Sequence, residues 1–67
     1  VLNMWTAVYL ATGLELATEI ENRLKEEGFL IKKQIFVKEG DEELYEILAP
    51  EFEAKDIQAV LFDLGLI

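Results

Sequence analysis

The chain has no cysteine and no histidine, and it holds a single proline among its 67 residues. Without cysteine it can form no disulfide, and it offers no thiolate nucleophile and no zinc-finger pattern. Without histidine it lacks the commonest general base and the commonest ligand of transition metals. These absences exclude most enzyme classes, so we expect a protein that is not an enzyme and that uses no cofactor and no metal.

Basic residues are also scarce, since six Lys and Arg stand against fourteen Asp and Glu and give a formal net charge of −8. This charge opposes binding to nucleic acids and to anionic membranes. No apolar run approaches the roughly 20 residues of a membrane span, and residues 1–11 lack the pattern of a signal peptide. We therefore expect a cytoplasmic protein that binds neither nucleic acid nor membranes.

The length predicts one domain over residues 1–67. A chain of this size buries only about 60% of its unfolded surface, so self-association would add stability that the monomer lacks. Val1, Leu2 and Asn3 precede Met4, and the sequence leaves open whether these three residues are native.

A helix over residues 13–27, closed by a glycine, is the element that the pattern defines best. Thr12 and Glu15 match a capping box at its start. Glu21 stands four residues before Lys25, which is the favourable order for an ion pair on a helix surface. Apolar residues at helical spacing predict one buried stripe: Leu16, Ala17, Ile20 and Leu24.

Alternation of side chains predicts three strands, over residues 4–11, 29–37 and 43–49. The second and third strands are joined by a charged turn in which Gly40 can take positive φ, as in a hairpin. A second helix is predicted over residues 50–64, with Pro50 in its first turn. Helical spacing predicts that its buried side holds Ala54, Ile57, Val60, Leu61 and Leu64.

The order β-α-β-β-α predicts an α+β, ferredoxin-like domain. A right-handed crossover leaves a gap that strand three fills, which gives a three-stranded antiparallel or mixed sheet of order 2-3-1 with both helices on one face. A complete ferredoxin-like sheet has a fourth strand beside the first, and residues 65–67 are too few to form one. We therefore expect strand one to have a free hydrophobic edge, which invites pairing.

Alternation also divides the sheet residues between a side under the helices and an uncovered side. The covered side is predicted to hold Val8, Leu10, Ile31, Ile35, Tyr45 and Ile47. The uncovered side is predicted to hold Trp5, Tyr9, Lys32, Gln34, Phe36, Leu44 and Leu48. An apolar surface of this size marks an interface or a ligand groove, and the small size of the chain favours a homo-oligomer. Lys32 is the candidate anion contact on this side.

Two weaker signals lie outside the sheet. Phe52 and Phe62 point away from the buried side of the second helix, which indicates either a second interface or local packing at the two helix ends. The acidic residues around the hairpin could suggest Ca²⁺ or Mg²⁺. Their spacing does not match an EF-hand, and Glu43 and Glu46 fall on opposite faces, so we expect a solvated hairpin and no metal.

Several short motifs stand out along the chain: Met4-Trp5-Thr6, Val8-Tyr9, Glu27-Gly28-Phe29 and Glu46-Ile47-Leu48-Ala49-Pro50-Glu51. Together they resemble an uncharacterised group of small prokaryotic signal-transducing proteins related to the PII (GlnB-like) superfamily. The resemblance implies a sensory role, because PII proteins are trimeric sensors of nucleotides and 2-oxoglutarate. They act through a long loop between strands two and three, whereas the hairpin here spans only residues 38–42. No nucleotide-binding residue carries over.

We therefore expect a small interaction or signal-transducing module that self-associates, with a dimer favoured, through its open sheet face, the edge of strand one, or both. A further protein partner is compatible with this role. The alternative is a PII-like regulator that binds a small anionic metabolite or a nucleotide at a subunit boundary.

Overall fold

A computed structural model describes residues 4–67, so Val1, Leu2 and Asn3 lie outside the described residues. The predicted α+β class and the ferredoxin-like βαββα order are confirmed. The elements are β1 (Trp5–Thr12), α1 (Leu14–Glu26), β2 (Lys32–Glu39), β3 (Glu42–Pro50), a 3₁₀ turn (Glu51–Glu53) and α2 (Ala54–Asp63).

The sheet has three strands, and β3 lies between the other two. It pairs antiparallel with β1 on one side and with β2 on the other, so no part of this sheet is mixed. Read from the β1 edge, the strand order is 1-3-2. The predicted order, 2-3-1, also has β3 as the central strand.

One hydrophobic cluster joins both helices to the sheet. In β3 every second side chain is buried, namely Tyr45, Ile47 and Ala49. Alternate residues of a strand share a face, so the helix residues that pack with these three cover a single face of the sheet. The remaining buried members of the cluster are Val8 and Ala11 from β1, Ala17, Ile20 and Leu24 from α1, Ile31 before β2, and Ile57 and Leu61 from α2.

The predicted capping box at the start of α1 is wrong. Thr12 is the last residue of β1, and Gly13 occupies the N-cap with no side-chain cap bond. The Gly13 N–H donates to the Glu43 carbonyl at 2.8 Å, so the sheet ladder continues up to the residue before the helix. The predicted stripe also changes, because Leu16 is exposed while Glu21 is buried.

The second helix starts later than predicted. Pro50 ends β3 instead of opening a helix, and the 3₁₀ turn precedes α2. The Leu30 N–H donates to the carboxylate of Glu53, in the 3₁₀ turn, at 3.1 Å. Strand β2 begins at Lys32, three residues later than predicted. The buried side of α2 is as predicted, with Ile57 and Leu61 fully buried.

Each outer strand carries one residue more than β3 can pair with. The register of β1 shifts between Ala7 and Tyr9, which leaves Val8 as the extra residue. The register of β2 shifts between Ile35 and Val37, which leaves Phe36 unpaired. Such β-bulges place two residues of one strand opposite one residue of its neighbour. Side chains beyond a bulge therefore lie on the opposite face from the one that strict alternation predicts.

The hairpin between β2 and β3 turns at Gly40 and Asp41, because Glu39 still pairs with Glu42. Gly40 has a φ of 59°, and no residue other than glycine has positive φ among the described residues. A positive φ at only the first of two loop residues is the sign of a type II′ turn, which requires glycine there.

We predict that Gly40→Ala destabilises the domain by about 1 kcal/mol. A Cβ at this position would meet nothing within 4 Å, so the cost comes from the left-handed backbone alone. Asp41→Ala in the same turn is the matched control, with an expected change within about 0.5 kcal/mol. Urea unfolding followed by circular dichroism measures both, and equal changes would contradict the assigned turn.

Candidate functional site

Within residues 4–67, no element covers the face of the sheet turned away from the helices. In β3, residues that point to this face alternate with buried residues. The strand register shows which residues of β1 and β2 lie beside them on the same face. We define the open face as Trp5, Ala7, Leu10 and Thr12 of β1, Leu44, Glu46 and Leu48 of β3, and Lys32, Gln34 and Val37 of β2. All ten are exposed or half-buried.

Two side-chain contacts tie the strands together on the open face. The Lys32 ammonium lies 4.1 Å from the centroid of the Trp5 ring, a cation–π contact that spans from β2 to β1. Such a contact contributes about 0.5–1 kcal/mol at an exposed site. The Gln34 amide donates to the Glu46 carboxylate at 2.9 Å. The polar groups at the centre of this face are thus paired with neighbours.

The open face is close to neutral in a strongly acidic chain. It holds one cation, Lys32, and one anion, Glu46, whereas the whole chain carries −8. Further acids on the same side, Glu39 and Glu42, follow only at the hairpin end. Leu10 and Val37 are 50% and 40% exposed. Six of the ten open-face residues are apolar, and they surround the Gln34–Glu46 pair at its centre.

Five of the seven residues predicted for the uncovered side lie on the open face, and Tyr9 does not. The bulge places both Val8 and Tyr9 opposite Ile47, so Tyr9 is half-buried and packs against the core. Leu10, predicted to lie under the helices, takes the open position instead. Phe36 is exposed at the second bulge. The residues predicted correctly are Trp5, Lys32, Gln34, Leu44 and Leu48.

Sequence reasoning missed half of the open face. Alternation places Leu10 on the covered side, and the uncovered residues named from the sequence do not include Ala7, Thr12, Val37 and Glu46. Nothing in the residues around Val8 or Phe36 marks a bulge, since neither neighbourhood contains a glycine or a proline. Ile35 was predicted to be covered but is 50% exposed on the outer strand β2.

The two outer strands differ in how their free edges are protected. Four of the eight residues of β2 are charged, namely Lys32, Lys33, Lys38 and Glu39. None of the eight residues of β1 is charged and none is proline. Charged side chains on an edge discourage pairing with another strand. The edge of β1 therefore lacks the protection that β2 has.

Both predicted outward-facing phenylalanines are exposed. Phe52, in the 3₁₀ turn, is 81% exposed and Phe62, in α2, is 69% exposed. Neither folds back onto the core in the way that local packing at a helix end would require. They remain candidates for a second interface.

Residues 4–67 offer little support for a metal site or for a small-molecule site. No group of three or more acidic residues is arranged to hold a metal ion in this part of the chain. A groove of about 190 Å³ lies between α1 and the last residues, where Arg23 and Glu19 face Leu64 and Leu66. Sites for small organic ligands usually measure 300–1,000 Å³, so this groove is too small to hold one by itself.

Searches against protein-family models, curated proteins and solved structures find no match. The proposed kinship with PII-related proteins therefore stays a prediction. In the described part of the chain, neither helix has the length and apolar character that crossing a membrane requires.

Proposed function

We propose that this domain is a small, non-enzymatic interaction or signal-transducing module of the cytoplasm that works as a homo-oligomer, most simply a dimer. It self-associates through the open face, the free edge of β1, or both. The observation that carries this proposal is that the open face and the edge of β1 are mostly apolar and carry no net charge in a chain of charge −8.

Charge limits which surfaces of two copies can meet. Two chains that each carry −8 repel, and the repulsion is strongest where acidic side chains are dense. A contact through the open face or the β1 edge keeps most acidic groups apart, because the ten residues of the open face carry no net charge and the eight residues of β1 include no charged side chain. Burial of leucine, valine and tryptophan side chains then contributes roughly 25 cal/mol per Å².

We predict that the wild-type chain sediments at about twice the 7.7 kDa of one chain when its concentration is raised. We also predict that the dimer becomes tighter at higher salt, because salt screens the repulsion between the two acidic chains. Sedimentation velocity over a concentration series at about 0.05 and 0.5 M NaCl measures both effects. A single 7.7 kDa species at every concentration and salt would overturn the proposal.

The pairing of Lys32 with Trp5 favours one alternative function. A cation over an aromatic ring on an exposed face could hold a small anionic metabolite or a nucleotide, in the manner of a PII-like regulator, at a boundary between subunits. A ligand that binds only the folded state raises its melting temperature. A thermal-shift screen with nucleotides and central metabolites tests this, with Lys32→Met as the variant that should lose any shift. If no compound gives a shift, the interaction role stands alone.

A further inference from the structure

The second half of β1 presents free backbone groups in a regular pattern. The Gly13 N–H donates to the Glu43 carbonyl, so the backbone of Gly13 faces β3. In an antiparallel ladder the residues alternate between those that bond to the neighbour and those whose N–H and C=O point away. The N–H and C=O groups of Thr12 and Leu10 therefore point outward, away from β3.

The first half of β1 follows the same rule on the other side of the bulge. The Glu51 N–H donates to the Met4 carbonyl at 2.8 Å, so the backbone of Met4 faces β3. Alternation then directs the N–H and C=O groups of Trp5 and Ala7 outward. The two halves of the edge thus offer the same kind of unpaired donors and acceptors.

The bulge between these halves is already satisfied inside the chain. The Gln58 amide of α2 donates to the Val8 carbonyl at 3.1 Å. This bond occupies the one carbonyl that breaks the regular pattern of the edge. The groups left for another strand are the N–H and C=O of four residues: Trp5, Ala7, Leu10 and Thr12.

We propose that a second copy of this chain pairs along this edge, β1 antiparallel to β1, about a two-fold axis at the Val8 bulge. The inference rests on the self-association proposed above and names the surface that carries it. In this register Ala7 lies opposite Leu10 of the second copy, and Trp5 lies opposite Thr12. Each of these pairs can exchange two hydrogen bonds. Because each strand has its extra residue at the axis, the residues on both sides of the axis keep the same hydrogen-bonding register.

The charges of the two outer strands favour β1 over β2 as the paired edge. A second β1 brings no charged side chain to the contact, because the eight residues of β1 include none. A second β2 would bring four charged side chains from each copy to the contact, Lys32, Lys33, Lys38 and Glu39, with three of the four positive. Like charges on facing strands are destabilising. The charges therefore favour self-pairing of β1 over self-pairing of β2.

Helix α2 provides a second and independent reason. Its Gln58 side chain donates to the Val8 carbonyl, so this side of the helix lies beside the bulge of β1. Phe62 stands one turn later, on the same side of the helix as Gln58, and is 69% exposed. A second copy on the edge would bring its own α2 alongside and bury Phe62. Edge pairing thus accounts for an exposed aromatic side chain that the open face leaves unexplained.

Proline substitution tests the edge without touching the ladder to β3. Leu10→Pro removes an outward N–H only, and proline is tolerated on edge strands at such positions. We expect this variant to stay folded by circular dichroism and to weaken the dimer at least tenfold in sedimentation velocity. Leu10→Ala keeps the N–H and is the matched control, with the dimer retained. Leu48→Glu places a charge on the open face of the central strand and distinguishes the two surfaces: a dimer paired along the β1 edge leaves this face uncovered and should tolerate the charge, whereas a dimer formed through the open face should be lost.

Introduced cysteines test the register, because the natural chain has none. A mixture of Ala7→Cys and Leu10→Cys chains should form a disulfide-linked dimer under mild oxidation, since residues in directly opposite, hydrogen-bonded positions have Cα atoms about 5.5 Å apart. Either variant alone should not, because the same residue in the two copies would be separated by roughly 8 Å from strand rise and spacing. Disulfides do not bridge Cα atoms more than about 7 Å apart.

The outcomes separate the inference from the proposed function. If the wild-type chain stays monomeric, both the proposed self-association and the pairing of the β1 edges are overturned. A dimer that survives Leu10→Pro but is lost in Leu48→Glu would keep self-association and assign it to the open face, which overturns edge pairing. If Leu10→Pro does not fold, Phe62→Glu and the cysteine pairs decide: a dimer unaffected by Phe62→Glu, or a disulfide formed by Ala7→Cys chains alone, would contradict the edge register.

Discussion

Replacement of Ile47 by alanine is expected to destabilise the domain by about 3 kcal/mol. Ile47 lies at the centre of β3 and is fully buried, and it faces the bulge of β1 as well as the cluster formed by both helices. Truncation of a buried isoleucine costs about 2–5 kcal/mol, because transfer energy is lost and a cavity is left behind. A domain of this length has a total stability of roughly 3–10 kcal/mol. The variant should therefore be largely unfolded at moderate urea concentrations.

Leu48→Ala is the matched control, since the next residue on the same strand points to the open face. Leu48 is half-buried, and we expect its truncation to cost about 1 kcal/mol, within the ordinary range for such positions. Urea unfolding followed by circular dichroism and by the fluorescence of the single tryptophan measures both variants at low protein concentration. Equal losses at the two positions would mean that both faces of the sheet are covered in the monomer.

This contrast between adjacent residues could be predicted from the sequence, because the central strand is regular. Tyr45, Ile47 and Ala49 alternate with Leu44, Glu46 and Leu48, and strict alternation assigned both sets correctly. The central strand has neighbours on both sides that hold its register. The order of elements and the buried side of α2 were also predictable, because helical and strand periodicity depends only on local spacing.

The outer strands could not be predicted as well, because each contains a bulge. A bulge is a response of the strand to its neighbour and to the layer above it, and the residues around Val8 carry no local signal for it. One extra residue in β1 moved Tyr9 to the core side and Leu10 to the open face. The same kind of shift at Phe36 places Val37 beside Leu44 on the open face. These changes altered the composition of the candidate site without altering the fold.

The environment of Glu21 escaped prediction for another reason. Helical spacing indicates a surface ion pair with Lys25, and that pair forms, with a distance of 3.1 Å between the Lys25 Nζ and the Glu21 carboxylate. Glu21 is nevertheless buried, because Lys33 of β2 also reaches it at 2.7 Å. That contact joins the second strand to the first helix, and spacing along the chain contains no information about it.

We expect Glu21→Gln to destabilise the domain by about 2 kcal/mol at neutral pH. The Lys33 ammonium donates a short hydrogen bond to the Glu21 carboxylate, and hydrogen bonds to charged groups contribute about 1.5–3 kcal/mol. The Lys33 side chain is 25% exposed, so water can still solvate its ammonium after the carboxylate is replaced. The expected loss of stability therefore lies toward the lower end of this range. Glu26→Gln, at an exposed position on the same helix, is the matched control and should change stability by less than about 0.5 kcal/mol.

The pH dependence of this loss identifies its origin. The hydrogen bond from Lys33 is the main cause that lowers the pKa of Glu21 below its ordinary value of 4.5, against the opposing effect of burial, and Lys25 lowers the pKa further. A carboxyl whose pKa is lower in the folded state stabilises the fold above its unfolded pKa, and this contribution is lost as pH falls through the folded pKa. The difference between wild type and Glu21→Gln should therefore be constant near pH 7 and shrink below about pH 4.5. Urea unfolding at a series of pH values measures it.

A double-mutant cycle assigns the interaction to its partner. If Lys33 is the dominant contact, Lys33→Met should cost less in the Glu21→Gln background than in the wild type, with a coupling of about 1–2 kcal/mol for two residues in direct contact. The same cycle with Lys25, half of whose side chain is exposed, should give a coupling below about 0.5 kcal/mol, as for other helix surface pairs. Equal couplings for the two lysines would mean that the link between β2 and α1 contributes no more than a surface pair.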